Sequence, residues 1–195
     1  MRVRRLQNDF HIELIYRHFP LHPDTPPEGL SLEELFAGRN IDLAASQSDM
    51  EQRMAKEGLP YGNRTRTCNS RLAQELAKWA EQLTGHDAIH DALYQAYFVD
   101  DVNLADLENL VAVVDRIGLP PDEAREALTA RRFRGEVDAD WQHSRALGIT
   151  SVPTFVTANR GLVGARSYEE LVALVESAGA LRRKPPASAP GKSQP

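Results

Sequence analysis

The chain has 195 residues, 42% of them hydrophobic and 26% charged, with 23 bases against 28 acids for a net charge of −5. That balance disfavours nonspecific binding to nucleic acid, which rests on clustered bases, and no apolar run approaches the ~20 residues that span a bilayer. A single cysteine, Cys68, excludes an intramolecular disulfide, a cysteine-rich zinc site and an internal dithiol couple within these residues.

Val3, Leu6 and Phe10 fall at i, i+3, i+7, so the chain is expected to begin inside a helix. The basic, polar start has no apolar core behind it and does not read as a secretory signal, which implies a cytoplasmic location. Ile12, Leu14 and Tyr16 alternate with Glu13 and Arg17, the pattern of a strand over His11 to Phe19 with one buried face. Pro20 ends it, and a proline-rich loop follows to Gly29.

Helix signals then dominate. Ser31 to Glu34 and Ser48 to Glu51 both have capping-box spacing. Pro60 to Thr67 reads as a polar loop. Leu72, Leu76, Trp79, Ala80 and Leu83 form a helical stripe opening near Asn69 and closing at Gly85. Further helices are expected over His86 to Phe98, from an Asn103 cap to Gly118, from Pro120-Pro121, and over Val137 to Leu147 with Trp141 inside. The period then changes. Pro153 to Thr157 and Leu162 to Gly164 flank an Asn159-Arg160-Gly161 turn as a hairpin, and Ser167 to Glu170 caps a last helix. Strands at both ends of a helical block should pair with each other. From Arg182 on, four bases and four prolines without a large apolar residue predict a disordered tail, leaving the body at 19 bases against 28 acids.

Two constellations carry potential chemistry. His86 and His90 share a helix face at a metal-compatible spacing, but no third ligand is evident and no metal site is expected. Cys68 lies near Arg64, Arg66 and Arg71, a setting that can stabilise a thiolate, although a single thiol cannot resolve its own mixed disulfides. A free thiol without a special task is the plainer reading.

The stretch Gly148-Ile149-Thr150-Ser151-Val152-Pro153-Thr154-Phe155-Val156 stops a helix and opens a strand on proline. An X-Pro bond is trans by default. In this context, however, the stretch resembles the cis-proline loop of thioredoxin-fold proteins, and the helical insertion resembles the DsbA-like group. Tyr16-Arg17-His18-Phe19-Pro20-Leu21-His22-Pro23 with Pro26-Pro27-Glu28-Gly29, Tyr97-Phe98-Val99-Asp100-Asp101-Val102-Asn103, Ile117-Gly118-Leu119 and Gly164-Ala165-Arg166-Ser167 are similar to its FrnE-type branch. The resemblance runs from Val3 to Leu181.

It implies an α/β, thioredoxin-like fold with a large all-helical insertion. The discontinuous thioredoxin-like domain would take residues 1–23 and 149–181, the insertion 24–148 and the tail 182–195. Family members begin with a strand and then a helix whose N-terminus carries Cys-x-x-Cys. Against that pattern the first strand and the start of the first helix, roughly 20 residues, are expected to be missing. The resemblance therefore implies a protein thiol-disulfide oxidoreductase whose catalytic cysteines no residue here supplies, so no catalytic residue is assigned. It gives Val152 and Pro153 the role of binding an extended substrate through backbone hydrogen bonds. It implies a thiol- or disulfide-containing protein or glutathione as partner, no bound cofactor, no nucleic acid and no membrane, and it allows a homodimer. The runner-up is a glutathione-dependent kappa-class transferase, including 2-hydroxychromene-2-carboxylate isomerases. A third reading is a non-catalytic peptide- or thiol-binding protein.

Overall fold

The computed structural model describes residues 2–83, 88–158 and 160–183. In chain order the elements are α1 (Arg2–Asp9), β1 (Leu30–Ser31), α2 (Leu32–Leu35), α3 (Leu43–Lys56), β2 (Arg66–Thr67), α4 (Arg71–Ala80), α5 (Ala88–Phe98), α6 (Leu107–Arg116), α7 (Pro121–Thr129), α8 (Arg134–Ala146), β3 (Thr154–Val156), β4 (Gly161–Val163) and α9 (Tyr168–Ser177). They fall into two compact units, Met1–Tyr16 with Ile149–Pro195, and Arg17–Gly148.

The unit Arg17–Gly148 is helical and is organised on α4. Every residue of α4 from Ala73 to Ala80 is buried, including Glu75 and Lys78. Leu76, Trp79, Ile89, Leu110, Val113, Val114, Ala124 and Leu128 form its apolar centre. Leu110, Val111 and Val114 at i, i+1, i+4 form the buried stripe of α6. Glu75 has no exposed side-chain surface and is held by Arg71 Nε at 2.9 Å and by Arg131 Nε at 2.8 Å and Nη2 at 2.6 Å. Burial raises its pKa, but the hydrogen bonds from Arg131 and Arg71 outweigh that and hold it below the usual value.

Several local boundaries differ from the sequence expectation. The box at Ser31 forms as expected, with Glu34 closing it. Ser48 instead lies inside α3, because Asp42 caps that helix from further upstream by accepting from the Ala45 amide. Asp106 rather than Asn103 caps α6, while Asn103 makes an Asx turn through the Ala105 amide. The Pro60 to Thr67 loop ends in β2, which pairs antiparallel with β1. This pairing depends on Gly29, at φ +79°, where a Cβ would stand 2.5 Å from the Thr67 carbonyl oxygen. Trp141 is half-buried rather than inside, and its indole N–H donates to Gln74 Oε1 at 2.8 Å.

The second unit is smaller. Leu6, Phe10, Leu171 and Val175 are its buried core, with Val3, Ile12, Phe155 and Tyr168 packed against them. Helix α9 begins at the predicted Ser167–Glu170 capping box, and β3 and β4 form the predicted hairpin. Its turn residue Asn159 lies outside the described residues, as do Gly85 and residues 184–195 of the expected tail. Arg182 and Arg183, assigned to that tail, are in fact tied back: Arg182 bridges to Phe10, and the Arg183 amide donates to the Asp9 carbonyl at 2.8 Å.

The largest departure is the strand expected over His11 to Phe19. Among the described residues, 11–20 form no regular element and join no ladder, and the expected pairing with the C-terminal hairpin is not made. Alternation of side chains specifies a face; it does not supply the neighbouring backbone that makes a strand. Replacing Leu110, fully buried among helices, by alanine is expected to cost roughly 2–5 kcal/mol. Ile15→Ala, at a side chain 61% exposed, is expected to stay within about 0.5 kcal/mol; urea midpoints compare the two.

Candidate functional site

The Val152–Pro153 loop is built by its flanks. The Val152–Pro153 peptide bond is cis. The Pro153 carbonyl accepts from the Gly164 amide at 2.7 Å, and Thr154 Oγ1 donates to the Ser151 carbonyl at 2.7 Å, so the hairpin clamps the loop on both sides. Val152 is 47% exposed and Pro153 is also exposed. No described residue hydrogen-bonds the Val152 amide or carbonyl. The loop thus leaves the Val152 backbone groups accessible at the surface.

The arginines near Cys68 in sequence do not make it the activated thiolate that their presence allowed. It is buried, and its sulfur accepts from the Leu104 amide at 3.3 Å. Burial pushes the thiol pKa up, against weaker opposing effects of the Leu104 amide and Arg64. The neighbouring guanidiniums are committed: Arg64 to Tyr97 Oη, Arg66 to the Glu28 carbonyl, and Arg71 to Glu75 and Asp138. A protonated, enclosed thiol is a poor nucleophile. Of the histidine pair, His86 lies outside the described residues. Among those described, no group of three or more His, Cys, Asp or Glu side chains could hold a metal ion.

The sequence reading missed a buried charged cluster behind Tyr16 to Pro23. Asp140, 1% exposed, accepts from Arg17 Nη1 at 2.8 Å, from the His18 amide at 3.1 Å and from Lys78 Nζ at 3.1 Å. Lys78 also pairs with Glu81 at 3.1 Å. Burial raises the Asp140 pKa, but the His18 amide, Arg17 and Lys78 outweigh it and hold the group ionised. His18 Nε2 is buried without a hydrogen-bond partner. Burial, then Lys78, with smaller contributions from His90 and Arg71, lowers its pKa to about 4 against the opposing pull of Asp140. The imidazole is therefore neutral near pH 7. The signal was present in the α8 sequence, where Asp140 interrupts the stripe Val137, Trp141, Ser144 at i, i+4, i+7, but one helix does not show which cation answers it.

Residues 1–176 match the family model described as the DSBA-like thioredoxin domain. A probable DsbA oxidoreductase from Streptomyces coelicolor is 28% identical in structure-based comparison, with a TM-score of 0.78 over 94% of this chain and 80% of that one. The cytosolic disulfide reductase DsbM from Pseudomonas aeruginosa, solved with GSH, shares the fold at 20% identity, with a TM-score of 0.52 over 71% of this chain and 77% of its own. The uncharacterized protein YwbO of Bacillus subtilis is 26% identical over 95 residues, a stretch spanning 48% of this chain and 48% of that relative.

Two outcomes follow from the geometry. A thiol reagent such as DTNB is expected to label Cys68 slowly in the folded protein and at once in denaturant; equal rates would contradict its enclosure. Because the folded-state pKa of His18 lies below its unfolded value of 6.5, the unfolded chain binds the proton first as pH falls. Stability is then lost between about pH 6.5 and 4, by up to about 3 kcal/mol. Comparing urea unfolding of wild type and His18→Gln across that window isolates the effect, and the variant is expected to show the flatter profile.

Proposed function

The chain belongs to the DSBA-like thioredoxin domain family of thiol-disulfide oxidoreductases, and on that footing we propose that residues 1–195 bind an extended thiol or disulfide substrate without performing redox turnover. The observation that carries this is the Val152–Pro153 loop, exposed and clamped, with the Val152 backbone groups open to a ligand. Disulfide exchange requires a thiolate to attack and a second thiol to resolve the mixed disulfide. These residues contain one cysteine and no Cys-x-x-Cys, and that cysteine is buried and protonated. Glutathione and protein thiols suit the loop equally, since both present an extended peptide backbone.

No helix among the described residues is long and apolar enough to cross a membrane. We place the protein in the cytoplasm, where the Pseudomonas relative is described as acting, and assign it to the FrnE-type branch on the Tyr16–Pro23 and Tyr97–Asn103 motifs.

S-methylglutathione tests binding apart from exchange, because its sulfur cannot form a disulfide. Titration calorimetry is expected to detect binding by the wild type and by Cys68→Ser alike. Val152→Pro, which removes the loop amide, should weaken binding up to about tenfold. Insulin reduction by dithiothreitol is expected to run no faster with the protein than without it; acceleration that Cys68→Ser abolishes would contradict the proposal. A second reading is a glutathione-dependent kappa-class transferase, for which conjugation of glutathione to an electrophile such as chlorodinitrobenzene is the discriminating assay.

A further inference from the structure

The end of α7 holds a residue in a conformation its type rarely adopts. Arg131, directly after the Ala130 cap, has φ +51°, the left-handed setting that usually falls to glycine. Its amide closes the helix on the Leu128 carbonyl at 3.1 Å. From there its guanidinium gives Nε and Nη2 to Glu75, beside Arg71, which gives Nε to the same carboxylate. Arg71 is further fixed by stacking 4.5 Å from the centre of the Trp141 ring, with Nη2 on the Arg134 carbonyl and Asp138. In both guanidiniums Nη1 has no acceptor among the described residues.

Both arginines line one open cavity of about 240 Å³, whose other walls are Pro27, Asn69, Leu72 and Ala105. Asn69 is spent on the protein, with Nδ2 on the Pro23 and Thr25 carbonyls and Oδ1 on the Arg71 amide. Pro27, Leu72 and Ala105 offer only apolar side chains. The charge here runs against its surroundings. The unit Arg17–Gly148 carries 14 bases against 23 acids, yet Arg131, Arg132 and Arg134 follow one another after α7, with Arg71 against them.

Compensating Glu75 leaves two guanidinium ends, preset in place, on the wall of a largely apolar recess. Held this way, they lose little side-chain entropy on meeting a planar oxyanion. Charge limits the ligand further. Two guanidiniums against Glu75 leave one positive charge, and Asp138, 48% exposed, is partly screened by water. A monoanion matches that balance and a phosphate dianion does not. A cavity of about 150 Å³ already admits a benzene ring, so this one has room for a ring or a branched chain together with its carboxylate.

We infer that this recess binds a small organic monocarboxylate, its carboxylate on Nη1 of Arg131 and Arg71 and its apolar body against Pro27, Leu72 and Ala105. The site uses residues of the unit Arg17–Gly148 alone and does not depend on the redox or glutathione reading of the Val152–Pro153 loop.

The probe is sodium benzoate, titrated calorimetrically into the 195-residue protein. Benzamide serves as the neutral isostere, acetate as the head group without a body, and inorganic phosphate as the competing oxyanion. Benzoate is expected to saturate in the millimolar range and to shift the Nε–H resonances of Arg71 and Arg131, with each of the other three at least tenfold weaker. Arg131→Gln should weaken benzoate binding at least tenfold. Because that variant also loosens Glu75, Ala105→Phe decides the matter where Arg131→Gln fails to fold. It fills the recess, is expected to leave both arginine resonances of the free protein in place, and should abolish the benzoate response. No saturation by benzoate would overturn the inference, as would undiminished binding by Ala105→Phe. An equal response to phosphate would overturn it in favour of general anion attraction to the arginines, and an equal response to benzamide in favour of a purely apolar pocket.

Discussion

Burial of a charge is tolerated only when another charge or several hydrogen bonds meet it, and that constraint organises the unit Arg17–Gly148. Helix α4 is buried from Ala73 to Ala80, yet carries Glu75 and Lys78 on that stretch. Glu75 draws in Arg131 from the end of α7 together with its own neighbour Arg71. Lys78 draws in Asp140 of α8, and Asp140 then anchors the backbone of His18 and the side chain of Arg17. Removing one partner from such a pair leaves an uncompensated charge inside, the costly case for a buried ion pair. The same constraint thus determines helix packing and positions the chain leading into Phe19-Pro20.

The smaller unit depends on a different constraint. Helices α1 and α9 meet through the apolar core around Leu6, Leu171 and Val175 and along a polar edge, where Arg5 stacks 3.8 Å from the centre of the Tyr168 ring and Tyr168 Oη donates to Asp9. An alternating segment needs a neighbouring backbone to become a strand, and among the described residues none pairs with residues 12–15. The bridge between Phe10 and Arg182, with the His11 amide on the Leu181 carbonyl at 2.8 Å, is the one place where that segment's start is paired among the described residues.

These two constraints bear on the chemistry. The fold family uses an activated thiolate, and activation needs exposure and an unspent positive charge or helix N-terminus nearby. Cys68 lacks the exposure, and the arginines near it in sequence have partners elsewhere. What the chain presents instead is an exposed loop at Val152 and Pro153 whose flanks are held by hydrogen bonds.

Much of this was legible in the residues themselves. The hairpin around Gly161, the capping boxes at Ser31 and Ser167, the α6 stripe and the family resemblance all rest on local spacing, and local spacing survives folding because caps, turns and helical faces involve residues a few positions apart. Composition alone established that a single cysteine is present. Tertiary structure decided what spacing cannot encode: that Asp140 answers Lys78 62 positions away, that Asp42 and Asp106 outcompete nearer-looking caps, that Cys68 is enclosed, and that the alternation from Ile12 to Tyr16 meets no neighbouring strand among the described residues. Each of these depends on which distant group arrives beside a residue, and a one-dimensional pattern records a residue's own preference without recording its partner.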